Sequence, residues 1–205
     1  MKLMAFMKAG RHVPAALLLN FVFGTVVLAA EYKADIVQKI GGHTVNTQRL
    51  FVKDNMERSE MSVPTGKHII IVRFDKRVEW ILDPKAKTYT ESSLPRNLNM
   101  SSRIKMAKSG KKIGTEAIKG YVCDKYRLDS FGKSSGSKFI LNGTSWVSQK
   151  LNRVMRSELS IPGGTVIEEV QSVKEGKQPD SLFEIPKGYK KISAPAFSTF
   201  LPKHK

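Results

Sequence analysis

The chain has 205 residues, 40% hydrophobic and 26% charged, enough for one domain with a real core and too apolar for a disordered polymer. A formal charge of +17, from 35 Lys and Arg against 18 Asp and Glu, would suggest nucleic acid for a cytoplasmic protein. One cysteine, Cys123, excludes an intramolecular disulfide framework.

The N-terminus argues for export. Lys2, Lys8 and Arg11 precede an apolar stretch from Val13 to Leu28, then Ala29-Ala30 and the charged Glu31, the layout of a secretory signal peptide cleaved after Ala29 or Ala30. The alternative is an uncleaved inner-membrane anchor, since a span needs roughly 18 to 20 apolar residues; Pro14, Asn20, Gly24 and Thr25 count against it. The expected division is residues 1–30 signal, 31–193 one β domain and 194–205 a basic tail. A periplasmic address removes nucleic acid as a partner and leaves anionic membrane surfaces, toward which basic charge steers a protein in a salt-dependent way.

From Glu31 to Ile40, Tyr32, Ala34 and Ile36 alternate with polar residues, and Gly41-Gly42 supplies a turn. His43 to Lys53 and Met56 to Val63 follow as strands around Asp54-Asn55, and Pro64-Thr65-Gly66 makes the next break. Lys67 to Glu91 reads as a meander with turns at Asp75-Lys76 and Asp83-Pro84-Lys85-Ala86. The shortest registers set Ile71 opposite Trp80, Trp80 opposite Tyr89, Ile69 opposite Leu82 and Arg73 opposite Val78. One face is then an apolar row of Ile69, Ile71, Val78, Trp80, Leu82 and Tyr89, the candidate ligand lining. The other face carries Ile70, Val72, Phe74 and Ile81 with His68, Arg77 and Glu79, so both faces need a cover.

Ser92 to Lys112 changes to helical spacing, with Ser93 as a cap and Pro95 in the first turn. Leu94, Leu98, Ser101 and Ile104 or Lys105 fall at helical spacing with Met100 and Met106 nearby, Leu98, Met100 and Ile104 are the candidate lid residues, and Arg96, Arg103, Lys105 and Lys108 make the exposed side basic. Such a helix packs on the sheet, acts as a lid whose Met side chains adapt to a ligand, or touches a membrane.

Strands resume at KKIGTEAI and Tyr121 to Leu128, with Asp129 to Gly136 as a Gly/Ser-rich loop. Lys138 to Leu141 and Thr144 to Gln149 flank Asn142-Gly143, a turn or bulge, and Arg153 to Ile161 and Thr165 to Val173 flank Pro162-Gly163-Gly164. Pro179 to Phe183 forms one helical turn. Cys123, inside Tyr121-Val122-Cys123, is expected to be a small buried hydrophobe. The pattern is mainly β: a single strongly curved antiparallel sheet, a half-barrel of about ten or eleven strands with one or two short helices.

Several motifs in order carry a family resemblance: Met56-Glu57-Arg58-Ser59-Glu60; Trp80-Ile81-Leu82-Asp83-Pro84 leading to Lys87-Thr88-Tyr89; Gly114 through Cys123; Trp146-Val147-Ser148; and Leu182 through Tyr189. From Ala34 to Ile192 the chain resembles the lipoprotein-carrier-like proteins of the bacterial periplasm, the LolA/LolB-like superfamily, and more closely an uncharacterised exported branch of it. The resemblance implies a half-barrel with an apolar concave face closed by helices and able to hold acyl chains. One departure is that the carriers begin with a helix, whereas Glu31 to Ile40 already reads as strand.

Catalytic chemistry has little support. His43 and His68 lie in different hairpins with no zinc spacing, the serines lack a GxSxG setting, and Glu168-Glu169 point to opposite faces of a strand. No phosphate-binding glycine loop opens a helix. The expectation is a monomeric, non-enzymatic binding protein without metal or cofactor that takes a lipid, acyl chain or lipoprotein. The alternative is an envelope sensor or interaction protein engaging a protein or an anionic glycolipid.

Overall fold

The computed structural model describes residues 31–63, 66–134, 137–161 and 164–193. The expected signal segment and basic tail lie outside these residues. Two meanders build the fold. The first comprises β1 (Tyr32–Ile40), β2 (His43–Lys53), β3 (Met56–Val63), β4 (Gly66–Arg73), β5 (Val78–Asp83) and β6 (Thr88–Ser93). The second comprises β7 (Lys111–Ile118), β8 (Tyr121–Ser134), β9 (Ser137–Ser148), β10 (Arg153–Ile161) and β11 (Gly164–Glu175). Between them lies the helix α1 (Met100–Ala107), and after them come a 3-10 turn, Asp180–Phe183, and the two-residue β12 (Lys190–Lys191).

All twelve strands form one open curved sheet in the order β12-β6-β5-β4-β3-β2-β1-β11-β10-β9-β8-β7. The meanders join where β1 pairs with β11, as in Ala34 opposite Val173. That join leaves β6 near one edge and β7 at the other, so the β6–β7 connection must cross the sheet. Topology therefore lays α1 over one face. Every strand pair is antiparallel except β12 with β6, where Lys190 N–H donates to Lys87 O and Ile192 N–H to Tyr89 O.

Among the described residues the hairpin turns use left-handed backbone: Gly41 and Gly42 between β1 and β2, then Asp54, Arg77, Lys87, Lys119 and Asn152 at φ values of 45 to 57°. The mainly β, strongly curved sheet is as expected, with twelve strands rather than ten or eleven because Lys190–Lys191 adds a short edge.

Several local expectations need correction. Trp80 pairs with Glu91 and Tyr89 with Leu82, a two-residue slip from the Trp80–Tyr89 pairing that leaves Trp80 and Tyr89 on the same face. The cause is the wider loop: Asp83 Oδ1 accepts from the N–H groups of Lys85 and Ala86, and Asp83–Thr88 closes the hairpin. Asn99, not Ser93, caps α1; its side chain accepts from Ser102 N–H, and the Ser102 hydroxyl accepts from Asn99 N–H. Ser93 is still in β6, paired with Val78. The Asp129–Gly136 stretch is mostly strand, with β8 running to Ser134. Asn142-Gly143 is neither turn nor bulge but lies inside β9, where a β carbon on Gly143 would meet Glu158 O at 2.2 Å.

Two cores form. One gathers residues of β1, β2 and β7–β11 with Leu151, including Ala34, Ile36, Leu50, Cys123, Met155 and Val170. The other gathers Ile69, Ile71, Trp80 and Leu82 around Phe183, which is fully buried.

Candidate functional site: two recesses beneath a crossing helix

Strand alternation sends Ile69, Ile71 and Arg73 of β4 to one face and Ile70 and Val72 to the other. The first face is covered by the chain itself. Phe183 sits on Ile69, Ile71, Trp80 and Leu82, with Leu182, Ile185 and Tyr189 packed around it and Val78 and Tyr89 at the margin. Arg58 donates to Leu182 O at 3.1 Å, and Arg73 donates to Phe183 O at 3.2 Å and pairs with Glu184 and Asp75. The expected ligand lining of Ile69, Ile71, Val78, Trp80, Leu82 and Tyr89 is therefore the floor of a packed core. The residues that cover it lie about a hundred positions away in sequence, where strand pattern carries no information about them.

The open space is on the opposite face, beneath α1. A recess of about 500 Å³ is lined by Met100, Ile104, Met106 and Ala107 from the helix and by Leu128, Val154 and Leu159 from the sheet. A second, about 450 Å³, is lined by Leu50, Met61, Ile70, Val72 and Phe74 with Leu94 and Leu98 from the crossing segment. Glu57, Arg103, Arg153 and Glu168 line both and form the waist between them.

The waist is an ion cluster. Glu57 is only 4% exposed; its Oε2 accepts from Arg103 Nη1 at 2.5 Å, and its Oε1 accepts from Arg153. Burial alone would raise the Glu57 pKa, but the adjacent Arg153 and Arg103 guanidinium groups outweigh it and hold the carboxyl below its ordinary range. Burial likewise pushes the neighbouring Tyr32 hydroxyl up, against the opposing pull of Arg153. Arg153 stays charged despite burial, with Glu57 its main partner. Arg103 comes from α1, so this bond also fastens the helix to the sheet. Ser145 Oγ–H donates to Ala107 O, and Ile104 is buried, which completes the attachment.

The expected lid residues divide. Leu98, Met100 and Ile104 face the recesses, and Arg103 turns inward to Glu57. Arg96 and Lys105 are exposed, and Lys108 donates to Asn152 Oδ1 at 3.4 Å. Glu57, Arg153 and Glu168 were not among the expected site residues. The signal available was the β2–β3 register, which places Glu57 beside Val52 on the apolar side of β2. Glu168 and Glu169 do point to opposite faces: Glu168 lines the waist, while Glu169 pairs with Arg156. Cys123 is fully buried, its Sγ donating to Tyr121 O at 3.3 Å, and burial raises its thiol pKa. Among the described residues no group of three His, Cys, Asp or Glu side chains is placed to hold a metal ion, and no helix is long and apolar enough to cross a membrane.

Residues 36–155 match the family described as a domain of unknown function, DUF4412. No curated protein matches the chain. Among solved structures it is similar to an uncharacterized conserved protein from Thermus thermophilus, with 12% identity and a TM-score of 0.55, covering 82% of this chain and 93% of that one. It is also similar to PNGF-II, with 14% identity and a TM-score of 0.50, covering 83% of this chain but only 32% of that one. MucB in complex with MucA(peri) aligns over 75% of this chain and 53% of its own, with 12% identity and a TM-score of 0.45. The likeness to the Thermus thermophilus protein and to PNGF-II is one of fold alone.

Proposed function

The chain belongs to the DUF4412 family, and from the paired recesses beneath α1 we propose that it is an exported, periplasmic binding protein that shelters an acyl chain, a lipid or a lipoprotein's acyl group between α1 and the sheet. The observation that supports this reading is the contrast in filling. One apolar face is packed by the chain's own Phe183, while the other keeps two recesses of about 500 and 450 Å³, within the range of small-molecule sites. Burying an acyl chain gains about 0.8 kcal/mol per methylene before ordering costs, so affinity needs no catalytic machinery. Arg103, nearly half exposed at the waist, offers a charge-assisted donor to an anionic head group. We propose a binding role and no catalytic one.

The test is titration of delipidated protein with a fluorescent fatty-acid analogue. Saturable binding is expected, lost on Leu159→Asp or Ile70→Asp while the melting temperature stays near that of the parent. Trp80→Asp, on the filled face, is expected to unfold the protein instead. Absence of saturable binding to the parent overturns the proposal.

A further inference from the structure

We propose that the outward side of α1, the loop before it and the start of β7 dock the protein on an anionic lipid bilayer, with Met106 as the apolar contact. Between Glu91 and Glu116 the sequence has no Asp or Glu but has Arg96, Arg103, Lys105, Lys108, Lys111 and Lys112. Arg103 and Lys112 are paired with Glu57 and Asp124. Arg96, Lys105 and Lys111 are exposed and have no ion-pair partner among the described residues. They are free to meet lipid phosphate.

Apolar contact is available at the same place. Met106 is 70% exposed, although methionine is among the residue types most often buried in a folded domain. It borders a shallow depression with Pro95, Leu98, Ser102, Lys105 and Ser109. A flexible thioether beside unpaired cations suits the head-group boundary of a bilayer, where attraction comes from anionic lipid and the apolar tip gains a little burial. Met106 also lines the larger recess, so the bilayer would stand at the recess mouth and an acyl chain could pass between them without crossing water. For that purpose the inference rests on the proposed function; the contact itself does not need a loaded recess.

Sedimentation of the full chain with phosphatidylcholine vesicles, with and without phosphatidylglycerol, tests the contact. The apolar N-terminal stretch contributes equally in every variant, so the readout is the phosphatidylglycerol-dependent gain. Reversal of Arg96, Lys105 and Lys111 to Glu is expected to cut that gain by about tenfold or more, as is added salt. Met106→Asp is expected to cut it by a smaller factor. The control reverses Lys85, Lys87 and Lys187, equally exposed cations near the β5–β6 turn, with the same change in net charge. An equal loss in the control, or no phosphatidylglycerol-dependent gain in the parent, overturns the proposal. Fatty-acid titration of the same variants is a separate readout: retained probe binding with lost vesicle binding separates this contact from the recess, and lost probe binding in the parent sinks the recess alone.

Discussion

The two sides of β4 share a strand, a composition and a neighbour on each flank, yet they meet different fates. Ile69 and Ile71 are 4% and 0% exposed beneath Phe183, while Ile70 and Val72 stay half-buried along a recess. Hydrophobicity therefore does not decide which face of this sheet is closed. The decision lies in the C-terminal segment, held down by Arg58 and Arg73, whose donors reach the carbonyls of Leu182 and Phe183. On the other face the cover is an eight-residue helix that reaches the sheet through a few contacts and leaves space on either side of an ion cluster.

The largest effect should come from breaking the filled side. Phe183→Ala removes a fully buried ring and leaves a cavity over Ile71 and Leu82, and it should cost about 3–5 kcal/mol in denaturant unfolding. Acyl-probe affinity, measured where the variant remains folded, should be unchanged, because the recesses lie through the sheet from the lesion. A loss of affinity proportional to the loss of stability would mean that the two faces are not independent.

The second effect falls on the open side. Glu57→Gln leaves Arg153, 15% exposed at its side chain, with an uncharged partner and should cost about 3 kcal/mol at neutral pH. The pH dependence has a defined sign. The folded-state pKa of Glu57 lies below the ordinary 4.5, so its stabilisation is complete above that value and disappears as pH falls through the lower folded value. Acid titration of parent and variant should therefore show their stabilities converging in acid. Curves that stay parallel down to the acid unfolding of the parent would remove Glu57 from the account of how α1 is held.

Strand alternation and turn chemistry make most of the sheet legible. Tyr32, Ala34 and Ile36 alternate as β1, Gly41-Gly42 turns, and Pro179 to Phe183 makes its single turn, all from local residues. The fold class follows from them. What local residues do not carry is the choice between faces. It depends on Phe183 meeting Ile71 and on Glu57 meeting Arg153 and Arg103, contacts that join segments from 46 to about a hundred residues apart. Met100 and Ile104 share a helical side that their i, i+4 spacing makes readable, whereas Leu98 precedes the Asn99 cap and reaches its recess from the crossing segment. Glu57 and Arg153 were not legible, since each is one of three charged residues in its strand and nothing local sets it apart from the other two.

The smallest effect should separate the two partners of one carboxylate. Arg103 is 45% exposed at its side chain and Arg153 is 15%, although both bond to Glu57. Solvent screens the outer pair, and Arg153 still neutralises Glu57 when Arg103 is gone, so Arg103→Ala should cost about 1 kcal/mol or less in global stability. Locally the same change removes the only ion pair that fastens α1 among the described residues. Native-state hydrogen exchange should then show amides in 104–108 exchanging roughly fivefold faster, as expected for about 1 kcal/mol, with those of β4 unchanged. Equal acceleration in β4 and α1 would show that the helix and the sheet open together, and that the recess has no door of its own.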